Sequence, residues 1–217
     1  MKRGSVEACE YGASILYSLA VNDDRKDLIG LFGGIRPLVW LLSKGTKRGR
    51  KDAVTTLFNL CLFPCNQERA VREDIVIELM IHLREPQGRM KDEALMLLDM
   101  IKSHHDTTPT LNAEDPVVHL VNIVWIGSQM NQEHATSILL HLCSGDPKHI
   151  DEAKQLGVER YLVDLTHFGS DGGKQKAKQL LEMISAHTEE RKRARTQPNA
   201  GSGSGSKSCR ARKMPNI

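Results

Sequence analysis

The sequence predicts an all-α, right-handed superhelical solenoid, built on a period near 41 residues and followed by a disordered basic C-terminal tail. Three observations carry this. Counting from Leu57, steps of 41, 41 and 42 residues forward and 41 back reach Leu98, Leu139, Leu181 and Leu16, a leucine each time. Four residues earlier the column reads Gly12, Ala53, Ala94, Ala135 and Ala177, and three residues later Leu19, Leu60, Ile101, Leu142 and Ile184. Finally, aromatics make up only 4% of the chain, so aliphatic side chains must fill the core, as they do between stacked helices.

A small residue at i, leucine at i+4 and an aliphatic at i+7 mark one stripe of an amphipathic helix. The small residue admits a close neighbour, and the larger two fill the space between repeats. A second helix keeps the same period: Leu38, in Ile35-Arg36-Pro37-Leu38-Val39-Trp40-Leu41-Leu42, maps onto Leu79, Leu120 and Leu162. Before it runs a short polar segment, Asn22 to Ile29 in one unit and Asn66 to Arg72 in the next. One short helix and two longer ones at this period form the armadillo signature, with HEAT repeats as the competing reading. The pair Gly33-Gly34 favours armadillo, because glycine permits the sharp turn after a short first helix.

Taken in order, residues 1–32 form a partial repeat that opens directly on a last helix, Val6 to Ala20. Its end would expose part of the stripe holding Leu16 and Leu19, so the chain reads as a fragment of a longer protein. Four repeats follow at about 33–73, 74–115, 116–156 and 157–188. The polar run Ser103-His104-His105-Asp106-Thr107-Thr108-Pro109 is expected to be a loop replacing most of a short helix. Asp146-Pro147 starts a helix, which ends at a glycine stop, Gly157. Glu189 to Arg195 extends the final helix by a turn or two. The remainder of 189–217, with its Gly/Ser run at 201–206, has no core-forming pattern.

Charge is unevenly placed. Residues 189–217 hold eight Lys and Arg against two Glu, which leaves the array with 22 basic and 25 acidic residues. The solenoid is therefore no basic surface for nucleic acid. No apolar run is long enough for a membrane span. Five cysteines without a CxxC pair indicate a reducing compartment, with Cys61 and Cys143 as core fillers. No nucleophile motif, phosphate loop or dinucleotide fingerprint is present, and neither a catalytic residue nor a cofactor is assigned.

With the repeats placed, the chain resembles the armadillo region of plant U-box ubiquitin ligases. Ala53-Val54-Thr55-Thr56-Leu57-Phe58-Asn59-Leu60-Cys61 looks like the family's alanine-rich third helix, and Asp92-Glu93-Ala94-Leu95-Met96-Leu97-Leu98 is closer still. The most family-specific stretch is Leu140-His141-Leu142-Cys143-Ser144-Gly145-Asp146-Pro147 with Glu152-Ala153-Lys154-Gln155-Leu156-Gly157. The resemblance spans about residues 4–187. It implies a protein-binding arm for substrates or regulators such as receptor-like kinases, acting in protein ubiquitination. Contact with a ubiquitin-conjugating enzyme would run only through a U-box, which is not present here. A non-ligase scaffold or transport adaptor is the alternative.

In such an array the third helices line a concave groove. Projecting the period gives three ladders: Tyr11, Asp52, Glu93, His134; then Ser14, Thr55, Met96, Ser137; then Ser18, Asn59, Met100, His141. In import receptors and catenins, an asparagine ladder binds an extended peptide; here only Asn59 keeps that residue, which argues against a generic basic-peptide receptor. His134 and His141 stand two helical turns apart, about 10 Å, too far to share a metal ion, and no metal site is assigned. Arg191, Lys192, Arg193 and Arg195 form a nuclear-localisation candidate, so the expected compartments are cytoplasm and nucleus.

Overall fold

The computed structural model describes residues 5–85 and 90–196, and every regular element among them is helical. In order these are α1 (Val6–Leu19), α2 (Asp23–Leu31), α3 (Ile35–Lys44), α4 (Lys47–Cys61), α5 (Pro64–Arg72), α6 (Ile75–Arg84) and α7 (Lys91–Ile101). There follow α8 (Thr107–Asn112), α9 (Pro116–Ile126), α10 (Gln129–Gly145), α11 (Pro147–Gln155), α12 (Val158–Phe168) and α13 (Asp171–Thr196). Short-long-long triplets therefore run α2–α4, α5–α7, α8–α10 and α11–α13, with α1 as the last helix of a preceding unit. Third helices stack in series, α1 on α4, α4 on α7, α7 on α10 and α10 on α13.

Local chemistry sets the helix starts. Ser5, Asn22, Thr46, Ser128 and Asp146 each accept a backbone N–H from the first turn of the helix they cap. Pro64, Pro116 and Pro147 stand at first helical positions, where a missing N–H costs nothing. The turn into each second helix is the most regular feature of the backbone. Gly33, Asp74, Asp115 and Gly157 occupy one repeat column, and all four have positive φ, at 80°, 60°, 45° and 72°. Two repeats meet this left-handed backbone with glycine, and two force aspartate into it.

The core follows the columns. Ala53, Ala94, Ala135 and Ala177 are fully buried, as are Leu57, Leu98 and Leu139. Leu38, Leu79, Leu120 and Leu162 fill the second-helix layer. Cys61 and Cys143 are buried thiols pushed up to about 12, Cys61 by burial and Cys143 by burial and then Glu152. At the N-terminal face Leu19 is 37% exposed, although Leu60, Ile101 and Ile184 in its column are wholly buried. Ile15, Leu28, Leu31 and Phe32 are exposed beside it.

One sequence expectation changes here. The run 103–109 is not all loop, because Thr107 to Asn112 form α8. Thr107 is buried and donates its hydroxyl to the Ile101 carbonyl at 2.9 Å, while Leu111 is buried in the core, so a short anchored helix forms despite the polar composition. At the other end α13 continues to Thr196, so helix occupies the start of the 189–217 segment, as the extension through Arg195 anticipates. Residues 197–217, including the Gly/Ser run, lie outside the described residues.

Candidate protein-binding groove

Acidic residues in the N-terminal halves of the third helices tie each repeat to the next. Glu10 on α1 accepts the backbone N–H and hydroxyl of Thr46, the residue that caps α4, at 3.0 and 2.5 Å. Asp92 on α7 accepts the Asn131 amide of α10 at 2.6 Å. Glu133 on α10 accepts the Ser170 hydroxyl at 2.6 Å and the Lys176 ammonium of α13 at 3.0 Å. Hydrogen bonds from Ser170 and then Lys176 hold the Glu133 carboxyl below its ordinary range. The same column carries Lys51 on α4, where the polarity reverses and Lys51 approaches Glu93 on α7 at 3.8 Å. These ties fix the spacing of the third helices and hence the width of the surface they share.

On that surface the three ladders have unequal roles. Tyr11 is 75% exposed, and Ser18 is exposed too; Asp52, Glu93, Met96, Met100, His134 and His141 are half-buried. Ser14 donates to Glu10 O at 3.3 Å and also faces Asp52 at 3.5 Å; Ser18 donates to Ser14 O, and Thr55 to Lys51 O. Those hydroxyls are thus engaged by their own helices. Asn59 is different: its half-buried amide makes no hydrogen bond among the described residues. Glu93 Oε2 is likewise buried without a hydrogen-bond partner among them. Of these two groups the Asn59 amide is the one that solvent reaches, whereas Glu93 Oε2 is shut off from it.

Beside them lies a cluster that the ladders did not include. Asp99 on α7 accepts from Lys102 at 2.7 Å and pairs with His134 Nδ1 of α10 at 2.8 Å. Burial raises the Asp99 pKa, but hydrogen bonds from His134, Lys102 and Ser137 outweigh it and bring the carboxyl to about 2. Ser137 is itself buried, so it serves the floor of the groove and not its surface, which corrects its placement among contact residues. His141 Nε2 lies 3.2 Å from the Thr108 hydroxyl, and burial, then Lys102, lowers its pKa. The sequence does contain a signal for Asp99. Its repeat column reads Tyr17, Phe58, Asp99, Leu140 and Glu182, where Asp99 stands between the large apolar side chains of Phe58 and Leu140.

The other candidates sit elsewhere. Trp40 on α3 is half-buried against the core, and Trp125 on α9 is exposed, both outside the ladders. His104, His105 and Asp106 bring ligand atoms within 4.8 Å of one another, but all three are neighbours on one turn. Two of these groups already meet partners there, His104 Nδ1 the Asp106 N–H at 3.3 Å and His105 the Asp106 carboxylate at 3.2 Å. Arg191, Lys192 and Arg193 lie on the last turns of α13; Arg191 pairs with Asp151 at 2.5 Å and Lys192 with Glu189 at 2.7 Å. The backbone at Arg195 is helical too.

Known proteins agree with this architecture. The family described as Armadillo/beta-catenin-like repeat matches residues 22–62, the span of α2 to α4 with its flanking caps. Among curated proteins, U-box domain-containing protein 13 of Arabidopsis thaliana is 46% identical over 103 residues, which is 48% of this chain and 16% of that protein. U-box domain-containing protein 12 of Oryza sativa subsp. japonica is 42% identical over 106 residues, or 49% of this chain and 17% of that protein. U-box domain-containing protein 8 of Arabidopsis thaliana is 30% identical over 159 residues, 73% of this chain and 42% of that protein. The matches thus span less than half the length of these relatives. Among solved structures, the designed armadillo repeat protein YIII(Dq)4CqI superposes with a TM-score of 0.70 at 17% identity, covering 84% of this chain and 78% of that one. A second design, solved in complex with the peptide (KR)4, gives 0.66 at 18% identity, covering 84% and 77%. The chain has the armadillo fold, and over its repeats it is similar to plant U-box domain-containing proteins.

Proposed function

We propose that this armadillo array is the substrate- or regulator-binding arm of a plant U-box ubiquitin ligase. The concave face of α1, α4, α7 and α10 holds a segment of the target, while a conjugating enzyme is engaged by a U-box elsewhere. The observation that carries the reading is the free, half-buried Asn59 amide on the third helix α4. An extended peptide offers a backbone donor and acceptor at each residue, and so satisfies the N–H and the oxygen of that amide together. Half-buried Met96 and Met100 adapt to the side chains that come with it. His134, braced by Asp99, supplies a fixed polar edge. Similarity to the U-box proteins supports the ligase context, and receptor-like kinases are the class of regulator that the resemblance suggests.

The test compares two baits in plant extract with proteolysis blocked: this chain and a variant carrying Asn59→Ala, Glu93→Lys and His141→Ala. Partners lost with the variant, and ubiquitylated when a U-box is fused upstream of the wild-type array, support the reading. Partners held equally by both baits place binding outside the concave face and overturn it. For localisation, we propose that the α13 terminus directs entry into the nucleus from the cytoplasm through Arg191, Lys192, Arg193 and Arg195. Replacing all four by glutamine should then leave a fluorescent fusion in the cytoplasm, and unchanged nuclear signal would refute this.

A further inference from the structure

We propose that the cleft between α9, α12 and the start of α10 is a docking pocket for a basic side chain of a partner protein, arginine above all. The site lies outside the three ladders and does not rest on the reading of the concave face. The chain has only two Trp, three Tyr and four Phe, yet Trp125, Tyr161 and Phe168 line this one cleft of about 290 Å³. Two of the three stand clear of the solenoid core, Trp125 at 57% exposed and Phe168 at 78%, while Tyr161 packs against it. Nor do they belong to the repeat. The Trp125 column reads Ser43, Arg84, Trp125, and the Phe168 column reads Lys44, Glu85, Ile126, Phe168, so the earlier repeats have no aromatic there.

The ring arrangement and the nearby charge select a cation. Trp125 stacks on Tyr161 with centroids 5.7 Å apart, which holds the indole in place while leaving more than half of it open. Tyr161 already carries one guanidinium, Arg160, at 4.4 Å from its centroid, whereas no cation lies over Trp125 or Phe168 among the described residues. Asp164 lines the same cleft, and its exposed carboxylate makes no hydrogen bond or ion pair among them. An arginine entering here lays its planar guanidinium against the indole and gives its N–H groups to Asp164. Trp and Tyr with a partnering charge are also the residues that concentrate energy at protein interfaces.

The probe is N-acetyl-arginine methylamide, titrated into the full chain carrying Trp40→Phe, so that Trp125 alone reports by fluorescence. The neutral near-isostere N-acetyl-citrulline methylamide and a tetraproline peptide serve as comparisons. A saturable response to the arginine probe at millimolar concentration is expected, with citrulline at least about threefold weaker. Asp164→Asn should weaken arginine about threefold to fivefold and leave citrulline unchanged. Circular dichroism on each variant confirms the fold. Equal responses to arginine and citrulline, or no saturation at tens of millimolar, overturn the proposal. Stronger binding by tetraproline also overturns it and gives the cleft to proline-rich segments instead.

Discussion

Gly30 and Asn66 provide a test in which one substitution should change sign with its background. Asn66, at the third position of α5, is fully buried. Its amide donates to the Lys26 and Leu60 carbonyls at 2.8 and 2.9 Å, and its oxygen accepts from Arg69 at 2.8 Å. One side chain thereby joins the short helices of two repeats to the end of α4. Gly30 lies opposite on α2, and a Cβ there would fall 1.8 Å from Asn66 Oδ1 and 2.7 Å from its Cγ. In an open helix, Gly→Ala stabilises by about 0.5–1 kcal/mol. Here the methyl must displace a buried amide that cannot move without breaking its own hydrogen bonds, and a buried polar group left unpaired costs about 1–3 kcal/mol. Gly30→Ala alone should therefore destabilise by about 1–3 kcal/mol. Asn66→Ala alone should cost about 2–4 kcal/mol for the three buried hydrogen bonds it removes. With Asn66 truncated the closest atom left is Arg69 Nη1 at 3.0 Å, the end of a flexible side chain that has lost its Asn66 partner, so adding Gly30→Ala should now stabilise by up to about 0.5–1 kcal/mol. Urea unfolding followed by circular dichroism measures all four corners of the cycle, a difference of 2 kcal/mol moving the midpoint by about 1 M. A Gly30→Ala effect equal in both backgrounds would refute the argument.

Two further predictions come from the groove floor and the turns. Asp99, held at about 2 against an ordinary 3.8, contributes stability that is full above about pH 5 and lost as pH falls toward 2. With solvent screening allowed for, the loss is about 1–2 kcal/mol; Asp99→Asn should flatten this part of the stability–pH curve, and an unchanged slope between pH 5 and 2 would count against the cluster. Asp74→Gly and Asp115→Gly, relieving left-handed backbone at φ 60° and 45°, should each raise the melting temperature by about 1–3 °C, whereas Gly157→Ala should lower it.

Much of this molecule was legible because repetition turns one sequence into several readings of a single structure. The alanine and leucine columns named the buried face before any coordinate did, and Leu38 with its equivalents named the second layer. α8 was harder to read, because Thr107 behaves as a core residue only through its bond to Ile101, and Leu111 alone supplies apolar weight. The positive φ at Gly33 follows from residue type, but at Asp74 and Asp115 the repeat geometry overrides an unfavourable local preference. The concave positions could be listed by period, yet their states could not. Ser137 is consumed by Asp99 and Asn59 is left open, because those outcomes depend on which neighbour reaches across from the next helix. The tie from Glu10 to Thr46 similarly joins residues 36 apart, invisible to any pattern within one helix.

The column of left-handed turns also works as a set of hinges in series. Each one sets the angle at which a short helix hands the chain to the next long one, and in a superhelix such angles compound. A change of a few degrees at Asp74 would carry every helix beyond it along an arc, widening or narrowing the distance between third helices that it never touches. Substitutions at these four positions therefore offer a means of reshaping the concave face from a distance, with its contact residues left as they are.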